Sequence, residues 1–552
     1  MSIAILSNIN MDPLKAFLPA EQHYFCPYGQ YAQELLDPKS PLNTREFNTL
    51  YLHLEGEELV KEILYTLIDA KEAGILIADK LGLVFGGLDQ FRKRHPATKF
   101  LMTTVVLPPL KFLNYMDVNS QYSFSLLEED INREIIRFSQ TCAQFYVLDW
   151  KSVVMSQGWR DTVDEKFWYL GRIKYTRKAF QAMAREMQNI DNAINGKIKK
   201  VLVLDLDNTL WGGLAGEDGI AGIKLSEDGP GKAYRDFQQA VKSMSNLGVL
   251  LAINSKNNAQ DADDILAHHP MMVLGPQDFA ACQVNWNSKV DNMKELAAQL
   301  NVNLDSFVFI DDDPRERAMV REALPEVFVP EFPPDPAHLK TWFFEEVVYG
   351  QFPKVLVTKE DREKTIQYKA HAERLLVSKT MGMDDFLQHL EIQVGVYVND
   401  QRFVKRTVQL MQKTNQFNMT GRQFAQAEIE GFLKGQEMLV FNADYRDRFG
   451  YEGIIGTSLV RLKKDSAVIE VLLMSCRVIG KKAEYTFLHH IMGHLKDRGI
   501  STVAAEFIPT QKNRVAADFY QNAGFQQVGT KQDSIQWQAE VMRMADALKE
   551  KI

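Results

Sequence analysis

The sequence predicts a multidomain α/β protein, on three observations. At 552 residues the chain is too long for one hydrophobic core. Its first two-thirds alternates short apolar runs with longer helical stretches, the pattern of strands joined by crossover helices in a parallel layer. From about residue 375 the strands follow one another mostly without long helices, so mainly antiparallel pairing is expected.

In segment 1–190 the expected strands are "IAILSN", "NTLYLHL", "GILIADKL", "KFLMTTVVL" and "AQFYVLDW". The polar helix "QAMAREMQNIDNAINGKIKK" leads to a second α/β segment, 198–335, with strands "KVLVLDL", "GVLLAINS", "MMVLG" and "SFVFIDD". The prolines of "FVPEFPPDPAH" lack ladder donors and restrict the residues before them, which places a boundary near 332–337. A helical connector, 336–374, contains "TKEDREKTIQYKAHAERLL". Segment 375–552 then offers "IQVGVYVN", "GQEMLVFNADY", "IIGTSLVRLK", "SAVIEVLLMS" and "STVAAEFI".

A net charge of -8 argues against general affinity for nucleic acid or anionic membranes. The start "MSIAILSNINMDPLKAFL" lacks a basic n-region and a long apolar stretch, and no window offers the roughly 18 apolar residues of a membrane span, so a cytoplasmic protein is expected. Cys26, Cys142, Cys282 and Cys476 form no CxxC pair and indicate neither a disulfide framework nor a zinc site.

"VLVLDLDNTLWGG" runs an apolar strand into Asp205 and Asp207, where parallel α/β sheets place ligand chemistry. Acids of this kind also cap turns. Here, however, Ser255 ends "VLLAIN", Asp311, Asp312 and Asp313 follow "FVFI", and Lys289 precedes that last strand. This ordered set closely resembles haloacid dehalogenase-like (HAD) phosphatases. The resemblance implies Asp205 as carboxylate nucleophile, Asp207 as acid and base, Ser255 as donor to phosphoryl oxygens and Lys289 as charge partner. It also implies Mg²⁺ held by Asp205, the backbone carbonyl of Asp207, and Asp311 or Asp312. Only 48 positions separate Asp207 from Ser255, filled by "WGGLAGEDGIAGIKLSEDG" and one expected helix. A capless site, open to a phosphoryl group on a large partner, is the expectation.

In the third segment, "LLMSCRVIGKKAEYTFLHHIMGHL" puts a strand before Arg477-x-x-Gly480-x-Lys482 and a helix, a turn suited to pyrophosphate. With Asn513, Tyr520 and Gly524-Phe525 downstream, it resembles GNAT acyltransferases, whose groove beside that strand holds pantetheine. Cys476 falls there. It is either a small core residue or an acyl carrier whose thiolate Arg477, Lys481, Lys482 and the helix N-terminus favour. Cys282, expected on a loop, is the weaker rival. "KTNQFNMTGRQF" reads as a helix end and loop, with Asn415, Gln416 and Asn418 as candidate substrate or carrier contacts.

The order "LDLDNTLWGG", "FVFIDDDPRER", "KTNQFNMT", "DRFGYEGIIG", "SCRVIG" resembles FkbH-like proteins over about 200–530. Members of that family take the 3-phosphoglyceryl group of 1,3-bisphosphoglycerate, remove phosphate and load glyceryl onto the phosphopantetheine of an acyl carrier protein, in polyketide and related biosynthesis. Some relatives carry cysteine before the nucleophile where this chain has Leu204, which excludes an acyl route through that position. Many members begin with an SGNH-hydrolase-like domain. Here Ser7 and Asn8 end the first strand, yet Asp149 is followed by Trp150, Lys151 and Ser152 with no Asp-x-x-His, so a degenerate, non-hydrolytic domain is expected. Three alternatives stand beside this reading. One is a sugar or protein phosphatase with a C-terminal binding domain. Another is a phosphatase fused to an acetyl-CoA-dependent N-acetyltransferase in surface polysaccharide synthesis. The last, a non-enzymatic assembly protein, leaves the acid, hydroxyl and lysine set without a purpose.

Overall fold

The computed structural model describes residues 2–19, 23–142, 144–356, 382–531 and 534–551. The chain folds into two compact units, Met1–Asn192 and Ala193–Ile552. It is a multidomain α/β protein, with three separate sheets among the described residues. Residues 357–374 of the expected connector lie outside the described residues, as do 375–381 after it. Among the described residues no helix is long and apolar enough to cross a membrane.

The first unit holds a parallel sheet of β1 (Ile3–Ser7), β2 (Tyr24–Phe25), β3 (Thr49–His53), β4 (Lys99–Thr103) and β5 (Phe145–Leu148), in the order β2-β1-β3-β4-β5. "GILIADKL" is not one of its strands. It lies inside the helix Ala70–Arg94, where Ala73, Ile77, Leu81, Val84, Leu88 and Phe91 are buried. That spacing returns to one helix face every three or four residues, and only a longer window reveals it. Asp69 caps the helix, its carboxylate accepting from the Lys71 N–H at 2.7 Å.

The second unit begins with a four-stranded parallel sheet of β6 (Val201–Leu204), β7 (Leu250–Ser255), β8 (Phe279–Val284) and β9 (Phe307–Ile310), ordered β8-β7-β6-β9. Its third strand is not "MMVLG". The Gln238 side chain accepts from the Val273 and Leu274 amides at 3.0 and 3.3 Å, which removes them from a ladder, and the chain pairs later as Phe279–Val284. Cys282 therefore sits on a strand, exposed, rather than on a loop. Two helices, Ala215–Gly222 and Gly229–Asn246, fill the interval between β6 and β7 where one was expected.

An eight-stranded sheet follows: β10 (Val396–Val398), β11 (Phe417–Asn418), β12 (Met438–Asp447), β13 (Gly450–Leu462), β14 (Ser466–Met474), β15 (Thr502–Phe507), β16 (Gln526–Lys531) and β17 (Ser534–Glu540). The main path runs β10-β12-β13-β14-β15-β17-β16, with β11 paired separately to β14. Pairing is antiparallel except between β14 and β15. The helix Ala483–Asp497 packs Phe487, Leu488, Ile491, Met492 and Leu495 into the core of this sheet.

Candidate active site

β6 is central and fully buried, and the Asp205 amide donates to the Ile310 carbonyl at 3.0 Å, so Asp205 is delivered to the carboxyl edge of the sheet. The chain then turns through Asn208 at φ +52°, a left-handed conformation asparagine tolerates, and its side-chain oxygen accepts from the Gly213 amide at 2.9 Å. Gly213 is at φ +104°, and a Cβ there would meet the Asp218 carboxylate at 2.5 Å. Thr209 ties this turn to the end of β9 by accepting from the Asp312 amide at 3.2 Å.

Asp205, Asp311 and Asp312 each offer a carboxylate oxygen within 4.8 Å of one another. Lys289 opens the helix Lys289–Leu300 and is 4% exposed. Its ammonium lies 2.8 Å from Asp205 and also pairs with Asp311. Burial opposes its charge, but the two carboxylates outweigh that and raise its pKa. Burial first, then the charge of Asp205, pushes Asp311 up to about 7 and Asp312 to about 6, with Lys289 pulling the other way. With all three acids ionised, one ammonium offsets only one of three negative charges. Crowded hard oxygen donors with surplus negative charge fit a divalent cation such as Mg²⁺.

The Asp207 carboxylate stands outside this group. It accepts from the Trp211 indole at 2.9 Å, the Ala215 amide at 3.0 Å and the Asn257 amide group at 3.0 Å. Burial raises its pKa against those hydrogen bonds, which favours the protonated form a general acid needs. Ser255, buried at the end of β7, accepts from the same Asn257 amide group at 3.3 Å.

The structure thus brings Asp205, Lys289, Asp311 and Asp312 together and links Asp207 to Ser255 through Asn257. Sequence reasoning missed Trp211, Asn257 and Arg317. Trp211 stands four residues after Asp207, and Asn257 two after Ser255, spacings that offered the only signal. Arg317, 6% exposed, donates to the Asp311 and Asp312 carbonyls at 2.9 and 2.6 Å and pairs with Glu331 at 3.1 Å, fixing the acid loop.

In the C-terminal sheet, the turn after β14 has Gly480 at φ +78° and Lys482 at φ +61°, leading into Ala483–Asp497. Arg477 pairs with the buried Glu452 at 2.9 Å. Cys476 opens the short 3-10 turn Cys476–Val478, while its side chain lies outside the described residues. Asn513 is 2% exposed and binds backbone: it accepts from Thr510 at 2.7 Å and donates to the Asn418 and Ile508 carbonyls at 2.9 Å each. Tyr520 is 1% exposed, and its buried hydroxyl makes no hydrogen bond among the described residues. Asn415 and Gln416 are exposed, whereas Asn418 is buried in β11.

No protein-family model matches the chain, and no curated protein matches it. Among solved structures, it is similar to the N-terminal part of BF1531 from Bacteroides fragilis, which contains a phosphatase domain and is complexed with Mg. The two share 28% identity at a TM-score of 0.57, covering 62% of this chain and 92% of that one. The ribosomal-protein-S18-alanine N-acetyltransferase of Escherichia coli aligns at 13% identity and TM-score 0.22, covering 27% of this chain and 94% of that one. The PaiA N-acetyltransferase of Thermoplasma acidophilum, in complex with coenzyme A, aligns at 14% and 0.21, covering 27% and 99%.

Proposed function

We propose that the chain is a HAD-type phosphatase joined to an acyltransferase-like domain, acting on a phosphoglyceryl group destined for the phosphopantetheine thiol of an acyl carrier protein. The observation that carries the phosphatase reading is the convergence of Asp205, Asp311 and Asp312 on one point with Lys289 between two of them. Similarity to a magnesium-bound phosphatase domain supports it. The glyceryl donor, 1,3-bisphosphoglycerate, and the carrier partner rest on the FkbH-like resemblance.

Asp205 attacks phosphorus and the P–O ester bond breaks; Asp207 gives its proton to the departing glyceryl oxygen. Water then attacks the aspartyl-phosphate, Asp207 recovers a proton, and inorganic phosphate leaves. Ser255 donates to a phosphoryl oxygen, and Lys289 offsets charge on the transferred group. Mg²⁺ held by Asp205, Asp311, Asp312 and the Asp207 carbonyl supplies neutralisation of phosphoryl oxygens when bound. In the acyl half, the Cys476 thiolate attacks the acyl-phosphate carbon and expels phosphate, and the carrier thiol then takes the acyl group from the thioester. The experiment is incubation with Mg²⁺, 1,3-bisphosphoglycerate and a phosphopantetheinylated cognate carrier, followed by intact mass. A glyceryl adduct is expected; a carrier left unmodified overturns the transferase assignment.

A further inference from the structure

β14 and β15 pair in parallel over Ser466–Ile469 and Thr502–Ala505 only, although both strands run on, to Met474 and Phe507. Beyond Ile469 the two diverge. The edge that β14 exposes there is covered by β11, Phe417 and Asn418 lying opposite Met474 and Leu473. The Met419 amide continues the ladder to the Leu472 carbonyl at 3.0 Å, and the Met419 carbonyl accepts from Ile508 at 2.8 Å. Thr420 donates its hydroxyl to the Glu470 carbonyl at 2.9 Å, and Arg422 pairs with Glu506 at 2.8 Å. Residues 417–420 thus bridge the gap between the two strands.

What the edge suits is set by its neighbours. A strand edge pairs with any extended chain carrying amides. This one runs directly into the turn at residues 475–482, where Arg477 is already held by Glu452 and Lys482 stands at the start of a 15-residue helix whose N-terminus favours an anion. An extended amide chain ending in phosphate, the chemistry of phosphopantetheine, matches both features, and its amide portion competes with 417–420 for the same donors and acceptors. We infer that Phe417–Thr420 is a built-in competitor strand, which must leave the β14 edge before such an arm can pair there.

A second observation lies beside the segment. The Phe417 ring packs at 5.0 Å on Phe519, which in turn contacts Tyr520 at 5.7 Å. The Tyr520 hydroxyl is buried with no hydrogen-bond partner among the described residues, a cost to the arrangement seen here. Besides the ladder, two polar clamps hold the segment at its margins, Asn513 on the Asn418 carbonyl and Arg422 on Glu506.

The inference rests on reading the C-terminal domain as the acyl-transfer half. The test uses the full chain with two probes, acetyl-CoA and a phosphopantetheinylated carrier. In the unaltered protein, probe binding should speed hydrogen exchange at the Met419 and Ile508 amides about tenfold or more. Asn418 and Leu473 face each other across the pair, so Asn418→Cys with Leu473→Cys ties the strand down when oxidised. The oxidised form should bind acetyl-CoA at least about tenfold more weakly than the same protein after phosphine reduction. Three results overturn the inference: binding with unchanged exchange at both amides, equal affinity in the two redox forms, or no binding of either probe by the unaltered protein. Magnesium-dependent hydrolysis of p-nitrophenyl phosphate, measured alongside, reports on the phosphatase reading separately.

Discussion

Two parallel sheets in this chain end in polar residues at their carboxyl edges, and they use them oppositely. In the first unit, Ser7 accepts from the Ile9 amide, and Asn8 exchanges two hydrogen bonds with the Glu55 backbone. Each ring nitrogen of His53 lies 2.8 Å from a hydroxyl, of Thr103 and of Tyr175, and Asp149 caps its helix through the Ser152 amide at 3.2 Å. Every one of these groups is satisfied by a local partner. Around β6, by contrast, three carboxylates face one lysine and remain short of positive charge. Polar residues at a sheet edge mark a reactive centre when their charges converge without cancelling; where each is paired off, they build the fold.

Asp205→Asn should break the contrast most severely, removing the attacking oxygen and lowering magnesium-dependent phosphate hydrolysis on the order of 10³-fold or more, read with p-nitrophenyl phosphate. In the complete reaction it should leave phosphoglycerate on the carrier. Asp207→Asn should cost about 10²–10³-fold on an alkyl phosphate but about tenfold or less on p-nitrophenyl phosphate, whose leaving group needs no proton. Equal losses on both substrates would deny Asp207 the acid role.

How legible the site was depends on what its residues do. Asp205, Asp207, Ser255, Lys289, Asp311 and Asp312 stood out because each lies at or near a strand end in a fixed order. Trp211, Asn257 and Arg317 did not, because they act by orienting those acids through contacts of 2.6–3.0 Å that only folding creates. Arg317→Met tests this: it should weaken Mg²⁺ binding about 10–100-fold, by calorimetry, while leaving the acids in place.

The raised acids give a pH test with a definite sign. Without metal, the folded protein keeps protons on Asp312 up to about 6 and on Asp311 up to about 7, above the 3.8 of an unperturbed carboxyl. Folded chains then bind more protons than unfolded ones between those values, so metal-free stability declines as pH rises through that window. Mg²⁺ competes with the same protons, so the rise in Tm it produces should grow from about pH 5.5 to about pH 8. In the first unit the sign reverses at His53, which burial holds down to about 3. Its contribution is present above about 6.5 and lost as pH falls toward 3. His53→Ala should destabilise that unit by about 2–4 kcal/mol in thermal unfolding and leave phosphate hydrolysis unchanged.

The sequence by itself determined the α/β layers, the order of the reactive acids and the strand-then-turn pattern around Gly480, because these depend on local periodicity and on residues close in the chain. It misassigned "GILIADKL" and "MMVLG" where a short apolar run is ambiguous and a distant side chain decides, as Gln238 does for Val273 and Leu274. Tertiary structure alone decided that Asn257 reaches Asp207, that Asn8 at the end of β1 is tied to the Glu55 backbone, and that residues 417–420 fill the gap beside β14. Each is a choice among partners far apart in the chain, and pairing energy is realised only when folding brings those partners together.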